Sequence, residues 1–157
     1  MIAEMRKIEN FFPVELRDAL VLLIEGMSER KQEISLSPAE RACCPPAVDQ
    51  AVAFVEARMG LSFNRCVLKI YRIGEPHQSG AYNWHVDPES YHTTPLFHCT
   101  LRGEAEFFYK NRQGEIGRVE YRANTAIILD SKLEHYVTAP TSDNGERLYI
   151  FFGYTSK

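Results

Sequence analysis

No CxxC pair occurs among the four cysteines, Cys43, Cys44, Cys66 and Cys99, so the chain lacks the ligand spacing of a structural zinc site. No apolar run is longer than a stretch such as "ALVLLI", which is far short of a membrane span. The opening "MIAEMRKIEN" is charged throughout and has no apolar core of the kind a secretory signal needs. A cytoplasmic protein with reduced thiols is therefore expected. Charge of neither sign dominates: 18 basic and 21 acidic side chains give a net charge of -3. That balance offers no general attraction for a polyanion and argues against nucleic acid or an acidic membrane as partner. There is one tryptophan, no internal repeat and no low-complexity tract.

What is present suits a globular chain, with 45% hydrophobic and 11% aromatic residues over a length that fits a single domain, 1–157. Residues 1–60 read as supporting helices. Val14, Leu16, Leu20, Leu23 and Ile24 recur at a helical period after Pro13, with Gly26 or the following "SERK" as the stop. A second helix is predicted in "PPAVDQAVAFVEARMG", where Val48, Ala51, Val52 and Val55 form one face and Gly60 ends it. From residue 61 to 157 the texture is β. "SFNRCVLKIYRIG", "PLFHCTL", "AEFFYK", "IGRVEYR", "TAIILD", "LEHYVTA" and "ERLYIFFGY" are separated by Gly, Asn, Asp and Pro at short intervals. The expected fold is mainly β with N-terminal helices, a compact barrel or sandwich braced on one side.

The chemistry gathers in "SGAYNWHVDPESYH". Residues two apart on a strand share a face, so "HVD" delivers the His85 imidazole and the Asp87 carboxylate side by side, with Val86 turned away. His135, in a predicted later strand, is the best candidate for a third ligand. Two histidines and one carboxylate leave positions open on a metal, which suits non-haem iron(II) and oxygen chemistry. Twelve residues after His135, Arg147 opens the apolar "RLYIFFGY", where a guanidinium facing inward needs an anionic partner. His77, His92 and His98 are rival ligands; His98 reads as a wall or substrate residue and His92 as loop. Trp84 alternates with His85 and is expected to pack against the helices. Lys69 shares a face with Tyr71 and is expected to end in solvent.

The order of these residues resembles the iron(II)- and 2-oxoglutarate-dependent oxygenases, in particular the prolyl-hydroxylase-like branch. Tyr71 and Gly74 of "YRIG" are followed by Gly80, Tyr82, His85 and Asp87 of "GAYNWHVD", then by His135 and Arg147. The resemblance runs from about residue 65 to 153, and "NFFPVELRDAL" resembles the branch's helical opening. The fold it implies is a double-stranded β-helix, the jelly-roll or cupin-like barrel. It further implies that His85, Asp87 and His135 hold Fe(II) and that Arg147 meets the far carboxylate of 2-oxoglutarate. Tyr71 would hydrogen-bond that cosubstrate, and Tyr82 would stand at the pocket mouth. Dioxygen is the other cosubstrate, and a C–H bond of a peptide side chain or a small molecule becomes hydroxylated. The Asp87 carboxylate favours hydroxylation over halogenation. The sequence departs from the pattern in having one glycine in "LRGEAEFFY" and "RANTAIILDSKLEH" in place of a glycine turn, with Asn124 as the turn residue.

Overall fold

The computed structural model describes residues 5–73, 83–88, 91 and 95–155. Its elements follow the order β1 (Met5–Ile8), α1 (Val14–Glu25), β2 (Lys31–Ser35), α2 (Pro38–Arg41), α3 (Pro46–Met59), β3 (Arg65–Arg72), β4 (Leu96–Arg102), β5 (Ala105–Lys110), β6 (Ile116–Tyr121), β7 (Thr125–Leu129), β8 (His135–Val137) and β9 (Glu146–Gly153). The strands form a six-stranded sheet, ordered β1-β7-β4-β9-β3-β2, and a three-stranded sheet, ordered β6-β5-β8. Every pairing is antiparallel. The fold is mainly β and braced by helices, as the residues suggested, and it is the jelly roll that the resemblance implies.

The larger sheet has two uses because its strands alternate. Cys66, Leu68, Phe97, Cys99, Leu148, Ile150 and Phe152 point to one face and join α1 and α3 in the main core. Burying α3's Val48, Val52 and Val55 is worth about 1.5–3 kcal/mol each. Gly60 ends that helix in the left-handed conformation, its N–H bonded to the Glu56 carbonyl. The opposite face of the sheet looks toward β5, β6 and β8 and carries the polar residues described below.

Residues 1–60, expected to supply helices alone, also supply two strands. The whole of β2 pairs with the first part of β3, from Lys31↔Lys69 to Ser35↔Arg65, and β1 pairs with β7. "KQEIS" is an edge strand marked by charge, and its local sequence resembles a polar helix end until β3 is there to pair with it. The strand expected around "HVD" shrinks to one bridge, His85↔His135. Asn124 does take the left-handed turn, with φ of 57°, and its side chain both accepts from Phe12 N–H and donates to the Phe12 carbonyl. The turn from Asn111 to Gly114 joins β5 to β6. Among the described residues no helix is long and apolar enough to cross a membrane.

Candidate metal centre and carboxylate pocket

His85 and His135 are brought together by backbone. The His85 N–H donates to the His135 carbonyl (3.1 Å) and the His135 N–H to the His85 carbonyl (3.0 Å). This reciprocal pair sets the two rings 4.4 Å apart between centroids. Each ring is then turned by a second local bond. His85 Nδ1 lies 2.7 Å from the Asn83 carbonyl and His135 Nδ1 lies 3.0 Å from the Leu133 carbonyl. A carbonyl only accepts, so both Nδ1 atoms carry hydrogen and both Nε2 atoms present lone pairs. Metal-ligating histidines are oriented in this way.

Asp87 completes the group. Its Oδ2 is 3.5 Å from His135 Nε2, and one donor atom from each of His85, Asp87 and His135 lies within 4.8 Å of the others. Burial depresses the His135 pKa, against the smaller opposing pull of Asp87, and so favours the neutral ligand form. The donor set and its tautomers fit a divalent metal, with two neutral nitrogens and one anionic oxygen on one side.

Arg147 lies in the same cavity, 1% exposed. The register puts it opposite Tyr71 on β3, while its neighbour on the same face, Tyr149, sits opposite Lys69 and Thr100. One guanidinium nitrogen donates to Thr100 Oγ1 at 3.0 Å. The guanidinium carbon lies 4.5 Å from the Tyr71 ring centre, 5.2 Å from that of Tyr121 and 5.3 Å from that of Tyr149. Among the described residues no carboxylate pairs with it, and its buried Nε meets no acceptor. Aromatic faces return part of a cation's lost hydration, about 2 kcal/mol at best per contact, which leaves the site suited to an anion.

The cavity linking these groups measures about 430 Å³ and is walled by Val67, Tyr91, Val137 and Phe151 among others. That volume is in the range of small-ligand sites. Lys31 and Glu33, on the unexpected strand β2, also border it. Lys69 turns into the cavity rather than to solvent, its Nζ 4.6 Å from the Tyr71 ring centre. Burial, helped by Lys31 and Arg147, lowers its pKa. A larger cavity of about 880 Å³ lies near α2 and α3, but its one guanidinium, Arg41, is already paired with Asp49 and Glu56.

Of the residues singled out in the sequence, Tyr71, His85, Asp87, His98, His135 and Arg147 all border one cavity. Tyr82, Gly74, Gly80, His77 and His92 lie outside the described residues. Trp84 does not meet the helices, because those cover the other sheet. It packs edge-on to Tyr136 at 4.8 Å with Lys110 over its ring. Sequence reasoning missed Thr100, Tyr121 and Tyr149 around Arg147. The signal for two of them was present: Thr100 shares a strand face with His98, and Tyr149 with Arg147.

No protein-family model matches the sequence, and no curated protein matches it. Solved structures do match. A Pseudomonas putida prolyl-4-hydroxylase superposes with a TM-score of 0.66 at 16% identity, over 98% of this chain and 93% of that one. A Trichoplax adhaerens prolyl hydroxylase, in complex with a hypoxia inducible factor oxygen degradation domain peptide fragment, gives 0.68 at 13% identity over 97% and 83%. The chain has the fold of the iron(II)/2-oxoglutarate oxygenases. NgTET1 in complex with 5mC DNA also matches, with a TM-score of 0.66 at 10% identity over 98% of this chain and 72% of that one. The shared fold thus accompanies both a peptide and DNA, and the expectation against nucleic acid here rests on charge alone.

Proposed function

We propose that the chain is an iron(II)- and 2-oxoglutarate-dependent dioxygenase that hydroxylates a C–H bond, folded as one domain. His85, Asp87 and His135 hold the metal, and Arg147 receives the far carboxylate of the oxo acid. When bound, iron(II) with 2-oxoglutarate and dioxygen supplies C–H oxidation coupled to release of carbon dioxide and succinate. The protein's part is orientation. The Asn83 and Leu133 carbonyls keep both imidazoles in the ligating tautomer. Thr100 fixes one edge of the Arg147 fork while Tyr71, Tyr121 and Tyr149 surround it, leaving Nε and the cavity side for a carboxylate. Tyr71 lies between the Arg147 and Lys69 cations and borders the same space.

The observation that carries this reading is the pair of unlike sites in one cavity: a two-imidazole, one-carboxylate group, and a buried guanidinium with no protein counter-ion among the described residues. A metalloenzyme of cupin type, working without an oxo acid, would leave that guanidinium without a role. Free cysteines at all four positions fit a reducing, cytoplasmic setting. The substrate class proposed is a peptide or protein side chain or a small molecule.

Anaerobic titration with iron(II) and then 2-oxoglutarate tests the reading, by following the weak visible charge-transfer band of the chelate. His135→Ala should abolish the band. A parent protein that takes up iron but develops no band with the oxo acid would leave the dioxygenase reading without support.

A further inference from the structure

A third histidine in the cavity is not accounted for by metal binding or by the guanidinium. His98 is 7% exposed, and its Nε2 is buried without a hydrogen-bond partner among the described residues. Its Nδ1 is 2.8 Å from the Tyr149 hydroxyl. The ring sits 6.1 Å from that of His135 and 5.3 Å from that of Phe151. A buried polar atom left unbonded costs about 1–3 kcal/mol, so this one calls for an explanation.

Two tautomers are open to the ring, and counting bonds separates them. If Nδ1 carries the hydrogen it donates to the Tyr149 oxygen, and two groups go unsatisfied: the Nε2 lone pair and the tyrosine's own hydrogen, since that hydroxyl's one hydrogen bond among the described residues is to His98. If the tyrosine donates to Nδ1, only the Nε2 hydrogen is unsatisfied. The second arrangement leaves fewer buried groups without partners, and it makes Nε2 a donor.

Position then names the acceptor. His98 and Thr100 share one face of β4 and are spaced by about 6.6 Å, two strand residues. Thr100 holds Arg147, while His98 adjoins His135 of the metal group. A five-carbon oxo diacid whose far carboxylate meets Arg147 and whose oxo-acid end reaches the metal would run past His98. Building on the proposed function, we infer that His98, held by Tyr149, donates a hydrogen bond from Nε2 to the metal-chelating carboxylate of the 2-oxo acid. His98 is thus a cosubstrate-positioning residue.

The test measures iron(II) affinity and 2-oxoglutarate affinity separately, under anaerobic conditions, together with the energy of the chelate band. In His98→Asn the amide reaches Tyr149 but not the cavity; in His98→Gln the amide nitrogen reaches the position of Nε2. The Asn variant should keep iron, bind 2-oxoglutarate about tenfold to a hundredfold more weakly and shift the band. The Gln variant should restore most of both. Tyr149→Phe, which frees the ring to exchange tautomers, should give a smaller loss, and it carries the test should the Asn variant not fold. Unchanged oxo-acid affinity and band in both the Asn and Phe variants would overturn the inference. So would loss of iron in His98→Asn as complete as in His135→Ala, which would make His98 a ligand instead. A parent that binds neither iron nor 2-oxoglutarate would remove the proposed function, and this inference with it.

Discussion

Arg147→Met separates a binding role from a structural one by giving opposite expectations for the two. Cutting one side of a buried ion pair typically costs 3–5 kcal/mol, because an uncompensated charge stays behind. Arg147 has no such partner among the described residues; it has one hydrogen bond to Thr100 and three tyrosine faces. The aromatic contacts are worth about 0.5–2 kcal/mol each, which roughly offsets the several kcal/mol lost in dehydrating the cation. A methionine of similar length fills the cage without a charge. The unliganded variant should therefore unfold within about 1 kcal/mol of the parent, a shift of about 2–4 °C for a chain of this size. Ligand linkage should behave differently. With metal present and 2-oxoglutarate at about a hundred times its dissociation constant, the parent gains about 2.7 kcal/mol, while the variant gains almost none. Calorimetry or a dye-based melt, with and without the oxo acid, reads both quantities. If the variant loses 3–5 kcal/mol unliganded and still responds to 2-oxoglutarate, Arg147 is a structural cation and the carboxylate assignment is wrong.

Other expectations concern the frame of the site. Gly103→Ala should lower stability by more than about 2 kcal/mol, since Gly103 has φ of 94° and a Cβ there would collide with the Glu146 carbonyl oxygen; urea unfolding measures it. Asn124→Ala removes both side-chain bonds to the Phe12 backbone and a tolerated left-handed residue, and should cost about 2–4 kcal/mol in the same assay. Glu146 is held below its ordinary pKa first by Arg72, then by Arg102. It therefore adds stability above the normal glutamate range of about 4.3, which is lost as pH falls through its lower folded value. Glu146→Gln should flatten that part of the stability–pH curve; an unchanged slope would mean the Arg72–Glu146–Arg102 group is too well screened to matter.

Most of the β region was legible because its strands announce themselves through alternation and through turn residues such as Gly114 and Asn124. The helices were legible through Pro13, Gly26 and Gly60. β1 and β2 were not, since an edge strand such as "KQEIS" has no apolar face of its own and becomes a strand only by pairing with β3. Trp84 was placed on the wrong neighbour for a related reason. Alternation correctly turned it away from His85, but which sheet the helices cover is a matter of topology.

Sequence alone determined which side chains could act: His85 and Asp87 two apart, His135 and Arg147 on later strands. That followed because strand periodicity is local and fixes a face. Only the tertiary structure decided that they converge. The His85–His135 backbone exchange and the placing of Tyr71 and Tyr121 against Arg147 join segments far apart in the chain. Contacts of that kind depend on strand order and register, which no single stretch of residues encodes.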